Sequence, residues 1–457
     1  MSHIRFSPRA RYAALALALT AIGSPYAQAA NLLDVYDQAA QSDPTIRAAE
    51  ASRLASREAR PQAFASFLPT ITANASWAGT TAGQDTTANP NGTVNGLSTT
   101  TRGGTWGISA VESINIPTTL RNLKRTDYTL ALADLTYHSA EQNLVVRVAQ
   151  RYFNVLAARD SLNAAQANLE SLNQQLERAE KRFDVGLSAI TDVQEARAQR
   201  DRANSTVISS KRTLATNQEL LREITGSMVN DLAAPGDDMP LISPDPQSED
   251  EWVQKALNGN MDLATARINL DAATYDLGTK KLTRLPSVTI GANYKNSNAY
   301  EDFSPLGADN TNNSWSGTWF SVGVSVPIFS GGSISSTIRQ YVYQQRAARE
   351  RLEQSNRETE RSARDAYLGV QSAITQVQAN KQALESSRLA LEATQAGYDV
   401  GTRTTIDVLS SRQSLLTAEQ TYYQSRYTYI TNLITLKTTT GSLSREDLQQ
   451  INSWLTQ

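Results

Sequence analysis

The 457-residue chain has no cysteine and only two histidines. The first absence excludes a disulfide framework, and it excludes lipidation on an N-terminal cysteine. With His3 in an N-terminal leader, His138 is the one imidazole left, and it is expected to be an ordinary helix-surface residue. Zinc clusters and Ser-His-Asp relays are then hard to assemble. No nucleophile–base set or glycine-rich phosphate loop is visible either, so the expectation is a non-enzyme with no catalytic residue, cofactor or dedicated metal site. Outside the N-terminus no apolar run reaches about 18 residues, so no helix is built to span a bilayer. There is no basic block, and Lys plus Arg (43) fall below Asp plus Glu (45), so nucleic acid is not an expected partner. All fourteen prolines avoid residues 118–226 and 328–457. Proline breaks helices, so these two tracts are free to be continuous helix apart from their glycines.

What is present begins with a leader. Arg5, Arg9 and Arg11 precede the short apolar core Tyr12 to Gly23, and Ala27-Gln28-Ala29 fits a small-x-small cleavage site. Residues 1–29 are expected to be an export signal. Its removal takes the formal net charge from −2 to −5.

The body of the chain is written twice. "RFDVGLSAITDVQEARAQ" (182–199) recurs as "GYDVGTRTTIDVLSSRQS" (397–414), 215 positions later. Thr225-Gly226 matches Thr440-Gly441 at the same offset. Val155, Leu162, Leu169, Leu176 and Phe183 match Val370, Val377, Leu384, Leu391 and Tyr398, one apolar position every seven residues. Upstream, "FLPTITANASWAG" (67–79) matches "RLPSVTIGANYKN" (284–296). This is a duplicated unit of about 200 residues. The expected boundaries are a first repeat at 30–226, a Pro-rich linker at 227–260, a second repeat at 261–441 and a C-terminal segment at 442–457.

Each proline-free tract predicts two helical arms. The first arms, 118–183 and 333–398, would each be about 100 Å long. The second arms are 188–225 and 403–440. Seven-residue spacing, with Ala158, Ala165, Leu172 and Ala179 between the larger residues, predicts coiled-coil packing. Gly186 and Gly401 stand where the chain reverses, since glycine supplies the left-handed conformation that ends helices. Ser188 or Thr191, and Thr402 or Thr404, are available as N-caps. Asp192 and Asp407 fall in the first turn of each returning helix, facing the positive end of its dipole.

A second element alternates with period two. Ile71, Ala73, Ala75 and Trp77 alternate with Thr72, Asn74 and Ser76. Val288, Ile290, Ala292 and Tyr294 do the same, and "WGISAVESINI" (106–116) and "WFSVGVSVPIF" (319–329) supply two more runs. Each is about ten residues, the length of a tilted membrane strand. Residues 80–104 and 297–317 are expected to be polar loops, with Trp77, Trp106, Tyr294, Trp315 and Trp319 at the loop-proximal strand ends as an interfacial girdle. Four strands cannot close a barrel, since the smallest membrane barrels need about eight. Strands that span a membrane would therefore require an oligomer sharing one barrel. Two chains would give eight strands and three would give twelve.

From Asn31 onward these motifs, above all "YFNVLAARDSL" (152–162), 182–199 and "AGYDVGTRTTIDVL" (396–409), resemble the TolC-type outer-membrane channel proteins of efflux pumps and type I secretion systems. The resemblance implies an α+β membrane protein and a homotrimer. Its long coiled-coil hairpins would form a periplasmic α-barrel. Four strands per protomer would contribute to a shared transmembrane β-barrel in outer-membrane lipid, and segments 227–260 and 442–457 would form a mixed equatorial region. The implied function is an exit duct, opened by a periplasmic adaptor and an inner-membrane transporter. The hairpin turns Val185-Gly186-Leu187 and Val400-Gly401-Thr402 would dock the adaptor.

Carried over position by position, Tyr398 and Arg403 match gate residues, and Thr191 and Asp192 match their partners on the neighbouring protomer. Asp407 matches one of two aspartate rings, and weak cation binding would be possible there. The second ring position is Ser410, a departure that puts a double carboxylate ring in doubt. The alternative local role of Asp192 and Asp407 is helix capping, and that of Tyr398 is packing. Only the second copy carries the latch donors, because Phe183 and Ser188 stand opposite Tyr398 and Arg403. The competing whole-protein reading is a coiled-coil surface adhesin or stalk without a channel.

Overall fold

The computed structural model describes residues 29–84, 97–229, 231–236, 239–304 and 311–456. The expected signal segment therefore lies outside the described residues, apart from Ala29. Helices α1 (Leu32–Ser42), α2 (Pro44–Arg57) and α3 (Ala59–Ala65) lead to strands β1 (Thr70–Gln84) and β2 (Leu97–Ile114). Helices α4 (Ile116–Asp184) and α5 (Ile190–Thr225) form the first long hairpin. Strand β3 (Ala234–Pro235), helices α6 (Glu249–Gly259) and α7 (Met261–Lys281) and a 3-10 turn (Leu282–Arg284) come next. Strands β4 (Ser287–Ser304) and β5 (Thr311–Ser325) and helices α8 (Ser333–Asp399) and α9 (Thr405–Thr439) then repeat the plan. Helix α10 (Arg445–Asn452) and strand β6 (Leu455–Thr456) follow. The four long helices start and stop within two residues of the predicted arms.

The chain divides into two compact units. One comprises residues 45–141 and 253–362 and holds the four-stranded antiparallel sheet, in the order β1-β2-β4-β5. The two hairpins of the repeats thus meet through β2 and β4, and β1 and β5 are its open edges. Register sorts the side chains. Ile71, Ala73, Ala75 and Trp77 of β1 lie opposite Ala110, Ile108, Trp106 and Gly104 of β2. The same face continues through Ala292 and Tyr294 of β4 to Phe320 of β5, and through Ile290 to Val322. Glu112, at the edge of this band, is its one charge. The opposite face carries mainly Thr, Ser, Asn and Gly, with Thr72 hydrogen-bonded to Ser109 (2.6 Å). Ile71, Trp77, Phe320, Val322 and Val324 are 67 to 81 % exposed in the single chain. From Ile71 to Trp77 the apolar band rises about 20 Å, close to the outward band of a membrane barrel.

Two strand expectations are corrected. The strands run 15 to 18 residues, so Thr80–Gln84, Leu97–Gly104, Ser297–Ser304 and Thr311–Gly317 are ladder rather than loop. These stretches are mostly Thr, Ser, Asn and Gly, with apolar residues only scattered among them, which weakens the period-two signal, yet their many threonines favour extended backbone. Residues 85–96 and 305–310 lie outside the described residues. It follows that Trp77, Trp106, Tyr294 and Trp319 sit mid-ladder, not at strand ends, while Trp315 is the fifth residue of β5. Trp106 packs on Tyr294 with ring centroids 5.3 Å apart.

The other unit comprises residues up to 44, 142–252 and from 363 onward. Its core gathers Tyr152, Phe153 and Leu156 of α4, Leu221 and Ile224 of α5, and Tyr429, Ile430 and Ile434 of α9, all nearly or fully buried. Buried polar groups are satisfied by the connecting segments. The Tyr152 hydroxyl donates to the carbonyls of Ala233 (2.7 Å) and Ala30 (3.1 Å). Tyr429 exchanges hydrogen bonds with the backbone of Ile242 (2.8 and 3.1 Å). Asp43, almost wholly buried, pairs with Arg147. Strands β3 and β6 join residues 234–235 to 455–456. Further along the helices the seam narrows to small residues, and Leu172, Ala203 and Leu409 form one buried cluster of α4, α5 and α9. Val155, Ala158, Ala165, Leu172, Leu176 and Ala179 are buried as the heptads predict, while Phe183 is 40 % exposed, because it lies in the last turn before the reversal.

Candidate functional site

The two hairpin turns have one backbone. Gly186 N–H donates to Phe183 C=O (2.9 Å) and Leu187 N–H to Arg182 C=O (2.8 Å). At the same offset, Gly401 N–H donates to Tyr398 C=O (3.0 Å) and Thr402 N–H to Gly397 C=O (2.8 Å). Both glycines are left-handed, with φ of +74° and +81°. This is the six-to-one closure by which helices end on glycine. Val185, Leu187, Val400 and Ile406 project into solvent at these turns, 65 to 76 % exposed.

The side chains on this shared frame differ. In the second copy Thr404 is the N-cap of α9 and completes a capping box with Asp407. Thr404 donates to Asp407 Oδ2 from its backbone N–H and from its hydroxyl, both at 2.9 Å. These hydrogen bonds, backbone first, and then the nearby charge of Arg403 hold the Asp407 carboxyl below its ordinary value. In the first copy the cap position is Ala189, which has no side chain to offer. Neither Ser188 nor Thr191 caps α5, contrary to expectation. Helix α5 starts at Ile190, so Thr191 is already inside the first turn. Ser188 donates its hydroxyl to Asp192 instead (2.7 Å). The two aspartates, alike in sequence, are thus held differently.

Tyr398 and Arg403 also acquire definite surroundings. Arg182 of α4 donates to the Tyr398 hydroxyl (3.2 Å), with its guanidinium carbon 5.4 Å from the ring centre. This contact ties the first hairpin to the second within one chain. Arg403 lies across Gly397, where a Cβ would meet Arg403 Cγ at 2.8 Å. Among the described residues Arg403 makes no ion pair, so its guanidinium is available to a partner. Thr191 is exposed, and Ser410 is exposed one turn along α9 from Asp407. Within one chain the structure brings Tyr398 to Arg182 and Asp407 to Thr404. It does not join Tyr398 or Arg403 to Thr191 or Asp192, whose expected contact is with a neighbouring copy.

Arg182 and Gly397 were missed by the sequence reading. They occupy equivalent places in the two copies, so the signal was a second departure from the repeat, next to the Phe183 and Tyr398 difference. His138 is exposed and hydrogen-bonded to Glu141 (2.8 Å), as expected of a surface residue. Among the described residues no cluster of metal-ligating side chains occurs.

Comparison with known proteins adds a family. A family model described as outer membrane efflux protein matches residues 35–227 and 252–442. The chain is 31 % identical to the outer membrane protein TolC of Vibrio cholerae, over 93 % of this chain and 94 % of that protein. It is 27 % identical to the alkaline protease secretion protein AprF of Pseudomonas aeruginosa, over 70 % of this chain and 66 % of that one. Among solved structures, the outer membrane channel CmeC of Campylobacter jejuni superposes with a TM-score of 0.70 at 17 % identity, covering 94 % of this chain and 90 % of that chain.

Proposed function

Because the chain belongs to the outer membrane efflux protein family, we propose that its hairpin tips are the gate of a duct and the dock for the partner that opens it. The protein is an outer-membrane exit duct for efflux or secretion. Its fold class is α+β, with long helical hairpins, an internal two-fold repeat and four strands per protomer for a shared trimeric barrel. Catalysis has no part in this reading. The proposed division of the chain is a signal at 1–29, repeats at 30–226 and 261–441, and equatorial segments at 227–260 and 442–457.

In the closed duct, Tyr398 and Arg403 of one protomer reach Thr191 and Asp192 of the next. An Arg–carboxylate and a Tyr–carboxylate hydrogen bond are charge-assisted, yet exposed enough for a partner to break. Three copies of Asp407 form a single ring that favours cations at the constriction. Val185-Gly186-Leu187 and Val400-Gly401-Thr402 dock the helical hairpins of a periplasmic adaptor, which recruits an inner-membrane transporter. The observation that carries this reading is the asymmetry between two turns of one backbone: Tyr398 and Arg403, the latter without an ion pair among the described residues, stand in the second copy where the first has Phe183 and Ser188.

The test is single-channel recording in planar bilayers. Tyr398→Phe combined with Arg403→Ser should raise conductance severalfold over the parent trimer. Unchanged conductance with intact trimers would remove the gate role. An adhesin would show no conductance in either form.

A further inference from the structure

Register divides the aromatic residues of the sheet into two sets. Trp77, Trp106 and Tyr294 share the apolar face with Ile71, Ile108 and Phe320. Trp315 and Trp319 do not. Trp315 lies opposite Ser297, and the same row continues through Thr105 to Ser76. Trp319 lies opposite Asn293, in a row with Ser109 and Thr72. Both indoles therefore stand on the polar face. In the shared barrel the apolar face meets lipid, so the polar face lines the lumen. There the two side chains are 47 and 44 % exposed, and they are no part of a girdle at the lipid surface.

Their depth follows from the topology. The helices leave the sheet at Thr70, Ile114, Ser287 and Ser325 and extend into the periplasm, so the other strand ends are external. Counted from the external end of β5, Trp315 is the fifth residue and Trp319 the ninth. The pair lies between the exit and the middle of the barrel. The two positions are about 13 Å apart along the strand, too far for the rings to stack on each other. Between them on this face stands Gly317, which has no side chain to fill the gap.

Lys295 completes the group. Its neighbours across both ladders are glycines, Gly107 on β2 and Gly317 on β5. Its ammonium lies 5.6 Å from the centre of the Trp315 ring, within cation–π range. The ring itself lies against Gly317, where a Cβ would stand 3.6 and 3.9 Å from its carbons. Lys295 makes no ion pair among the described residues. Among the described side chains on this face of the strands, the one carboxylate is Glu301, six residues along β4 and so about 20 Å away. The cation is thus held beside an indole and left without a counter-ion.

This arrangement selects a ligand by chemistry. A planar apolar body laid over Gly317 touches an indole on either side. A negative group at its end meets Lys295. A cation of the same shape is repelled, and a neutral sugar leaves Lys295 uncompensated. We propose that Trp315, Trp319 and Lys295 form a lumenal binding site for aromatic carboxylates, one in each protomer and three around the barrel. The inference rests on the shared barrel and not on the gate, because the site is reached from outside whether the tips are open or closed.

The experiment is isothermal titration of purified trimers in lipid nanodiscs. The probes are 2-naphthoate and 2-naphthylmethylammonium, one ring system with opposite charges. Three 2-naphthoate ions should bind per trimer, with the cation roughly tenfold weaker. Lys295→Gln should weaken 2-naphthoate roughly three- to tenfold and erase its preference over the cation, while Lys295→Arg should keep that preference. Trp315→Leu should weaken 2-naphthoate roughly tenfold. Gly317→Val fills the floor between the indoles at ordinary contact distance, in a residue type that suits a strand. It should abolish binding in a trimer that still forms, and it decides the matter if Trp315→Leu fails to assemble. Trp77→Leu, on the lipid face, should bind as the parent does. Intact parent trimers that take up no 2-naphthoate overturn the inference. So do Lys295→Gln and Gly317→Val trimers that bind like the parent, or a loss confined to Trp77→Leu, which would place the probe at the lipid surface. Conductance of the Tyr398→Phe/Arg403→Ser variant tests the gate separately, so either reading can fail alone.

Discussion

At the scale of single residues, the duplicated turns form a natural control experiment. Asp192 and Asp407 share a motif, a helix position and a dipole, yet one neighbour decides their role. Thr404 against Ala189 is the difference that makes Asp407 a cap partner. The depressed Asp407 carboxyl has a definite linkage sign. A group whose folded value lies below its unfolded one adds stability above the unfolded value, and loses it as pH falls through the folded one. The start of α9 should therefore fray on acidification below the ordinary aspartate range near 4. Thr404→Ala should show that fraying already at neutral pH, with little further change in acid. Amide hydrogen exchange at residues 405–408 measures both. Of this arrangement the sequence carried the glycines, because left-handed backbone admits little else. It did not carry the Arg182–Tyr398 contact. Residues 216 apart meet only through packing, and no local pattern encodes it.

At the scale of elements, the long helices were legible because nothing interrupts them. Prolines bound the tracts, glycines break them, and heptads orient them, so the helix limits follow within two residues. The strands were legible only where one face is apolar. Beyond Trp77 and before Trp106 the residues are mostly polar, and the ladder continues on backbone hydrogen bonds with threonine and serine hydroxyl contacts across it, Thr81 to Thr100 and Thr105 to Ser297. The segments that tie the helices together were the least legible, since they are held by side chain to backbone bonds. Tyr152 is the clearest case, one buried hydroxyl serving carbonyls 203 positions apart at Ala30 and Ala233. Tyr152→Phe takes the hydroxyl from the Ala233 carbonyl in a buried setting, while the Ala30 carbonyl keeps the Ala233 N–H (3.2 Å). It should cost about 1–3 kcal/mol, read as a lowered urea midpoint with an unchanged slope. A shift under a few tenths would mean that water replaces the hydroxyl.

At the scale of the whole molecule, the exposed apolar face and the two open strand edges have no resolution within one chain. Backbone groups in a bilayer must be paired, and only closure achieves that. Heat-sensitive trimers in the outer-membrane fraction are the expected form. The twelve strands of three protomers satisfy every edge, with β5 of each chain beside β1 of the next. A proline in an edge strand, such as Val322→Pro in β5, removes a ladder donor and should abolish the trimer band on unheated gels.

Those open edges also have a genetic meaning. A chain spoiled at β5 keeps a sound β1, so it still joins neighbours before failing to close the ring. If sound and spoiled chains are made in equal amounts and mix at random, about one trimer in eight contains sound chains alone. A lesion in an edge strand should therefore be dominant over the intact allele. One in a hairpin tip, which leaves the ring closed, should not poison assembly in this way.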